Sequence, residues 1–466
     1  MTQPMMMSMH EAARTIAARA QGADAAFSGV FTDSRSIAAG ALFVALKGRN
    51  FDGHAYVGEI LARGADGAVG AVVNQEFAAA HPDLPLISVT DTRLALGALA
   101  AQWRRRFAIP LIGITGSNGK TTVKEMCAAI LHAQHGNAAD AVLATVGNRN
   151  NDIGLPLTLL ELRASHRAAV IEMGMNHAAE IDYLARLTAP TVALVNNAQR
   201  AHLEGLGSVQ DVALAKGEIF AGLAADGVAV FNADDAQVDV WRELARDRRR
   251  VSFGLDEAAD VRGRFTPHGM GGELHLATAW GEIDLTLAVP GFHNARNACA
   301  AAAATLVAGA SPAAVRQGLA GFAGIKGRLQ RRVGRAGALV VDDSYNANPD
   351  SMRAAIDVLA SVPGKRIFVM GDMGEAGAAA GQFHDEIGGY AKSHGIDRLL
   401  CLGEMSAAAA ANFGEGGRHF PRPEDLIKTL LSELDPQTTV LVKGSRFMHM
   451  ERVVEAIVDE GVVNAA

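Results

Sequence analysis

Residues 115–122 read Thr-Gly-Ser-Asn-Gly-Lys-Thr-Thr. They follow the apolar run "LIGI" and lead into a helical pattern that begins "KTTVKEM". Gly116 and Gly119 lack a Cβ, so the backbone through Ser117 and Asn118 can fold with its N–H groups pointing inward. Such donors, gathered at a helix N-terminus, suit a phosphate group. Lys120 is then placed to reach the outer phosphates of a nucleotide. Thr121 offers a hydroxyl to Mg²⁺, and Thr122 continues the turn. The common phosphate loop has four residues between its glycines, whereas Gly116 and Gly119 enclose two. The case for a shorter variant therefore rests on context: strand, turn, Lys-Thr-Thr and helix in that order.

That turn needs a sheet to carry it, and the chain supplies one. Strand-like runs "PLIGIT", "AAVIEMG", "TVALVNNA" and "GVAVFNADD" recur between helical stretches such as "VQDVALAKGEIFAGLAA". Alternating β and α predicts a parallel sheet with helices on both faces. The Ala-rich "NARNACAAAAATLVAG" is a helix by propensity. After "GFAGIKGRLQRR" a second series begins: "ALVVDDSYNANPDSM", "KRIFVMGDMG", "RLLCLGE" and "TTVLVKGS". Before all of these, "ALFVAL" and "AYVGEILARGA" form a smaller mixed unit. With 466 residues the chain is too long for one core. The fold class is α/β with three domains. Residues 1–88 form a small mixed α/β domain, 89–325 a central parallel-sheet ATPase domain, and 326–466 a Rossmann-like domain.

Composition narrows the function. A net charge of -7 and a pI near 6.1 speak against a general nucleic-acid binder. Cys127, Cys299 and Cys401 are far apart, without zinc or disulfide spacing, which fits a reducing compartment. The N-terminal "MTQPMMMSMHEAARTIAARA" has no apolar signal core, and no run is long enough to span a membrane. A cytoplasmic monomer is expected.

Further along, "EMGMNHAAEI" (172–181), "NNAQRAHLEGLGS" (196–208), "AKGEIF" (215–220), "GFHNARNACAA", "DDSYNANPDSM", "GDMGEAG" and "VLVKGSRFMHME" occur in one order. Together with GxxGKTT, this series resembles the Mur ligase family, which shares its ATP site with the folylpolyglutamate synthases. The resemblance runs from about Thr32 to Val453. Among family members, "DSYNANPDSM", "VKGSR" and "GNRNNDIGLPLTLL" are most similar to the one that adds a dipeptide, and the word "DNPR" of the diaminopimelate adder is absent.

The resemblance implies an ATP- and Mg²⁺-dependent amide ligase acting on UDP-N-acetylmuramoyl-tripeptide and D-alanyl-D-alanine. ATP would phosphorylate the carboxylate, and the amine would attack the acyl phosphate. No enzyme nucleophile is required, so the absence of a GxSxG or Cys–His signature is consistent; the work is positioning and charge neutralisation. The implied catalytic set is Lys120, Glu172, His202 and Lys216. Thr121, Glu172, His202 and Lys216 would be the metal-site residues, with Lys216 carrying a carbamate made from CO₂. Asn294 would contact adenine, and Arg328 and Asp343 would reach ATP from the third domain. Asn297, beside Asn294, can equally cap a helix. Ser34, Arg35 and Lys47, in "TDSRSIAAGALFVALKGRNFDGH", would meet the UDP group. Asn150, Asn151, Asn346, Asn348 and Lys443 complete the substrate set. A turn-forming role for "NANP" competes with the last assignment, and His384 has no assigned role beyond a solvated helix face. The competing functions are the ligase adding the third amino acid and a non-catalytic nucleotide-binding regulator.

Overall fold

The computed structural model describes residues 4–375 and 377–459. Residues 1–3 and 460–466 of the expected outer domains, and Ala376 of "GDMGEAG", lie outside the described residues. Three principal sheets follow one another along the chain. The first has five strands; in spatial order they are Arg19–Gln21, Leu86–Val89, Ala68–Asn74, Ala41–Val44 and Val30–Phe31. All neighbours in it are parallel except the first pair. Its core is Phe43, Val57, Ile60, Ala71, Val73 and Leu86.

The second sheet has nine strands. Leu111–Thr115 stands among them between Ala168–Glu172 and Val192–Val195, parallel to both. All five of its residues are buried, as a strand covered on both faces requires. Val142–Ala144 lies beyond Ala168–Glu172, and Val228–Asn232, Arg249–Gly254 and Val261–His268 continue on the other side. The expectation of a purely parallel sheet is incomplete. Val261–His268, Gly271–Thr278 and Gly281–Leu287 form an antiparallel meander on the edge. Its strands alternate buried and exposed residues, one face on the core and one in water.

The Ala-rich segment forms the helix Phe292–Val307, which is buried along most of its length. Its small side chains let it lie against the sheet and against Lys120–Gln134, the helix that carries the phosphate turn; Cys127 Sγ reaches Ala301 O at 3.9 Å. Helix Pro312–Ala320 also packs on Lys120–Gln134. There a Cβ on Gly318 would stand 2.5 Å from Ile130 N and Cα.

The third sheet has six strands: Gln330–Val333, Leu339–Asp343, Thr438–Lys443, Lys365–Gly371, Arg398–Leu402 and Gly417–Phe420. Only its first pair is antiparallel. Helix Pro349–Ala360 begins just beyond the sheet. Asn348 caps it, accepting from Ser351 N while Ser351 Oγ accepts from Asn348 N, a reciprocal cap that satisfies two otherwise unpaired donors.

Gly318→Ala is expected to force the two helices apart and destabilise the protein by about 1–3 kcal/mol, the usual range for overpacking. A fall in the urea midpoint at unchanged slope is the check. An unchanged midpoint would show that the contact yields freely.

Candidate active site

The phosphate turn connects the strand Leu111–Thr115 to the helix Lys120–Gln134. Gly119 stands at the helix N-cap with φ +80°, a left-handed conformation that side chains with a Cβ adopt at a cost of about 1–2 kcal/mol. A Cβ there would also lie 2.5 Å from Asn297 Oδ1 and 2.6 Å from Asn196 Nδ2. The turn is braced by the segment after the strand Val192–Val195. Ser117 N donates to Asn197 O (3.0 Å), Asn118 N to Asn197 Oδ1 (2.8 Å), and Asn118 Nδ2 to Gln199 Oε1 (2.6 Å). Asn196 Nδ2 donates to both Asn118 O and Asn297 Oδ1, each at 2.9 Å. Lys120 turns back over the turn, with Nζ 2.6 Å from Gly116 O and 3.2 Å from Ser117 O. Burial pulls its amine below the ordinary lysine range, and Arg328 adds to this, while Glu172 and Glu375 oppose it.

Glu172 ends its strand and is buried. Thr121 Oγ1 donates to its Oε2 (2.9 Å) and Asn150 Nδ2 to its Oε1 (2.8 Å). Its own N–H donates to Thr145 Oγ1 (3.0 Å), and Lys124 Nζ donates to Thr145 O (2.6 Å). The carboxylate is thus fixed at its backbone and at both oxygens. Arg328 Nη2 reaches Thr121 Oγ1 from the third sheet's side at 3.0 Å. Asn151, one residue from Asn150, accepts from Gly154 N at 2.8 Å and holds the entry to the helix Gly154–Leu159.

Lys216 lies in the helix Val209–Gly217 and is fully buried. Its Nζ has no hydrogen-bond partner among the described residues, so the side chain is no solvated helix-face residue. Burial pushes its amine well below the ordinary lysine range. The charge of Lys120 pushes the same way; Glu172, Glu218 and Glu180 oppose it. His202 has a left-handed backbone (φ +58°) and its Nδ1 stands 2.8 Å from Glu375 Oε2. Among the described residues no three His, Cys, Asp or Glu side chains converge as a ready-made metal cluster.

A single cavity of about 1510 Å³ gathers most of the expected site. Ser117 to Thr122, Asn150, Asn151, Glu172, His202, Asn294 and Asn297 line it from the central unit. Arg328, Asp343, Asn346, Asn348 and Lys443 line it from the third. Asp343 Oδ2 accepts from Lys443 Nζ at 2.6 Å, and its Oδ1 from Leu329 N at 3.1 Å. Lys443 also donates to Asn346 O at 3.0 Å. Asn294 Nδ2 donates to Pro290 O at 2.8 Å. Asn348 exchanges amide hydrogen bonds with Asn118 at 2.8 and 3.2 Å besides capping its helix, so the turn-forming role and a place at the cavity coexist.

Ser34, Arg35 and Lys47 are not among the residues around this cavity. They follow the carboxyl ends of the adjacent parallel strands Val30–Phe31 and Ala41–Val44, where parallel sheets hold their ligands. Arg35 forks onto Asp33 at 2.9 and 2.7 Å and holds that carboxyl down to about 2. Lys47 Nζ is 3.7 Å from Asp52 Oδ2.

Several contributors were not singled out from the sequence. Asn196, Asn197 and Gln199 brace the turn, Thr145 anchors Glu172, and Glu375 meets His202. The Asn pair was visible in "NNAQRAHLEGLGS", but nothing local says what it holds. His293, one residue before Asn294, also lines the cavity; burial, then Lys443 and Arg296, push it down to about 4, so it is neutral near pH 7. His384 is buried, not solvated. Its Nδ1 donates to Ala380 O and its Nε2 accepts from Met373 N at 2.9 Å, steadying the segment that ends at Glu375.

A glycine turn at a helix N-terminus, a buried carboxylate beside it, and an Asp–Lys pair brought from a separate sheet form the kind of arrangement that an ATP-dependent ligase of three units requires. The family models agree: "Mur ligase family, catalytic domain" matches residues 26–104, "Mur ligase middle domain" 114–305, and "Mur ligase, glutamate ligase domain" 327–446. The chain belongs to the Mur ligase family. It is 45% identical over 448 residues to the UDP-N-acetylmuramoyl-tripeptide–D-alanyl-D-alanine ligase of Escherichia coli, covering 95% of this chain and 96% of the relative. It is 41% identical to the ligase of that name from Haemophilus influenzae, over 92% and 93% of the two chains. A crystal structure of MurF from Acinetobacter baumannii superimposes with a TM-score of 0.89 at 34% identity, over 98% and 99% of the chains. MurF from Thermotoga maritima in complex with ADP gives a TM-score of 0.77 at 26% identity, over 92% and 96%.

Gly119→Ala combines a left-handed φ with contact on two amides. It is expected to weaken ADP binding by at least about tenfold, a loss of about 1.4 kcal/mol, while the circular-dichroism spectrum is retained. Calorimetric titration with ADP decides this; unchanged affinity would mean that the turn tolerates the Cβ.

Proposed function

We infer that this protein is the ATP-dependent ligase that joins D-alanyl-D-alanine to UDP-N-acetylmuramoyl-tripeptide, releasing ADP and phosphate. The observation that carries the reading is the shared cavity: the phosphate turn and Glu172 face Arg328, Asp343 and Lys443 across the junction of the central and third units. Relatives bearing that ligase name match nearly the whole chain, which disfavours the ligase that adds the third amino acid. A cytoplasmic setting is supported by three buried free thiols and by the lack, among the described residues, of a helix long and apolar enough to cross a membrane.

The chemistry follows from the charges. A carboxylate is a poor electrophile, so the peptide's terminal carboxylate oxygen attacks the γ-phosphorus and ADP leaves. The amine of D-alanyl-D-alanine then attacks the acyl carbon; phosphate departs with the former carboxylate oxygen, and the nitrogen loses a proton. Two anions must approach in the first step. Lys120, already seated over the turn, and Arg328, which reaches Thr121, supply the positive charge that offsets their repulsion. Lys443 and Asp343 give the third unit a fixed polar edge toward the nucleotide. Asn294 and Asn297 form the amide-lined end of the cavity suited to adenine. Asn346 and Asn348, beside Lys443, border the dipeptide, with Asn150 and Asn151 on the opposite wall. Ser34, Arg35 and Lys47 hold the UDP group in the first unit.

Mg²⁺ takes oxygen ligands and is usually held by one or two carboxylates together with substrate phosphates. The Thr121 hydroxyl and Glu172 carboxylate fit such an ion, and both lie beside the phosphate turn. His202 and a carbamate on Lys216 would complete the surroundings of a second ion. When bound, Mg²⁺ supplies charge neutralisation between the phosphates and the carboxylate. The orphaned, buried amine of Lys216 is the structural support for the carbamate. Kept neutral, it can attack CO₂; as a lysine cation it would repel a metal, and as a carbamate it presents an anion on a long arm.

Phosphate release is expected with UDP-N-acetylmuramoyl-tripeptide plus D-alanyl-D-alanine, and not with the dipeptide precursor plus diaminopimelate or lysine. Turnover only with the latter pair would overturn the assignment. Arg35→Ala should raise the KM for the precursor at least about tenfold more than that for ATP; equal effects would mean general damage. Lys216→Ala should lose most turnover, still bind ADP, and regain part of its activity with acetate. ¹³C-bicarbonate should give wild type, but not the variant, a carbamate carbon resonance. Near-normal turnover of Lys216→Ala in CO₂-free buffer would sink the carbamate.

A further inference from the structure

Arg200 stands between Gln199, which braces Asn118, and His202. It lies on the segment behind the phosphate turn, where that segment faces the third unit. Its backbone N–H donates to Asp350 Oδ2 at 2.8 Å, and its Nε and Nη2 donate to Asp350 Oδ1 at 3.0 and 2.7 Å. Nη1 and Nη2 also donate to Glu386 Oε2 and Oε1 at 2.7 and 3.1 Å. The guanidinium lies 5.4 Å from the ring centroid of Phe383. Asp350 belongs to the helix Pro349–Ala360, and Glu386 and Phe383 to the helix Ala380–Ser393. One side chain of the central unit therefore holds two helices of the third.

The geometry is more specific than a surface ion pair. The side chains of Arg200, Asp350 and Glu386 are 22%, 23% and 33% exposed, so water screens them only in part. The planar fork of arginine bonds both carboxylates at once and grips Glu386 through both of its oxygens, a two-pronged geometry that a lysine ammonium reproduces only in part. Arg353 is the other cation on Glu386, at 3.4 Å, and a weaker one by distance. The consequence lies at either end of the contact. On the central side, Asn197 and Gln199 hold the turn. On the far side, Asn348 caps the helix that Arg200 grips, and it exchanges amide hydrogen bonds with Asn118 of the same turn.

We propose that Arg200 is a positioning residue that latches the third unit onto the phosphate turn, so that Arg328, Asp343 and Lys443 stand over a nucleotide bound there. The proposal rests on the ligase reading for its substrates, but the latch itself can be tested with nucleotide alone. A merely structural ion pair would change thermal stability and leave the KM values together. A latch separates them: nucleotide binds mainly to the central unit, whereas the dipeptide needs the third unit in place.

The test uses the full chain, wild type against Arg200→Ala, Arg200→Lys and Asp350→Asn. In small-angle scattering with a non-hydrolysable ATP analogue and Mg²⁺, Arg200→Ala and Asp350→Asn should be more extended than wild type. ADP affinity should fall by only about two- to fivefold, the loss of the contacts from Arg328, Asp343 and Lys443, because the turn itself belongs to the central unit. The KM for D-alanyl-D-alanine should rise about tenfold or more, with the precursor KM unchanged, and Arg200→Lys should recover part of the loss. Should Arg200→Ala fail to fold, Asp350→Asn carries the same readings from the opposite partner. Scattering curves that superimpose on wild type, together with an unmoved dipeptide KM, would overturn the latch. So would an ADP affinity that falls as far as that for the dipeptide. If the wild-type enzyme shows no turnover with this pair of substrates, the ligase reading fails instead, and the scattering comparison still decides the latch.

Discussion

Five asparagines, Asn118, Asn196, Asn197, Asn297 and Asn348, meet at the phosphate turn, and the geometry of the site depends on them. Asn196 donates from the end of one central strand to Asn118 O in the turn and to Asn297 on the Ala-rich helix. Asn118 exchanges amide bonds with Asn348 at the start of a helix from another sheet. An amide both donates and accepts without carrying charge, so five of them can be brought together with little repulsion. The result is a neutral joint beneath a place meant for several negative charges. A lysine or aspartate here would contribute its own charge to the nucleotide's field. The joint also explains why Gly119 has to be glycine: the space a Cβ would fill is already held by Asn196 and Asn297.

Around that neutral joint the charged groups are arranged at different depths. Glu172 is buried and tied at its backbone and both carboxylate oxygens. Lys216 is equally buried and tied to nothing described. The contrast is informative, because burying an unpaired polar group costs about 1–3 kcal/mol by mutational measures. The carbamate proposed for Lys216 would remove that cost, since it would turn an uncompensated amine into an anion that a cation can satisfy.

Most of the central unit was legible in the sequence because its signals are local. Strand, glycine turn and Lys-Thr-Thr lie within a dozen residues, and the strands that lead up to Glu172 and Asn196 are apolar runs. The edge meander was legible too, in the alternation of "VRGRF", "ELHLA" and "EIDLTL", but a reading that looked for βα units passed over it. The burial of Lys216 was hidden for another reason, since a lone Lys on a helix ordinarily faces water. The helix Val209–Gly217 is covered on more than one side, by Trp241, whose Nε1 donates to Ala213 O, and by the helix Glu180–Thr188, and one helical period cannot reveal a second covering layer. His384 misled in the same way.

What no local pattern could show is the joint between units. Asn118 and Asn348 are 230 positions apart, and Arg200 and Glu386 are 186. Each residue alone has an ordinary reading: an Asn before Pro as a helix cap, an Arg as a surface charge, a Glu on a solvated face. Their function exists only once the third sheet is laid against the central one. The dependence also runs in the other direction. Asp343 and Lys443 are paired within their own sheet whatever the central unit does, so the third unit arrives with its polar edge already formed. The contacts that set that edge against the central unit are few and long-range in sequence, and they include those of Asn118 with Asn348 and of Arg200 with Asp350 and Glu386.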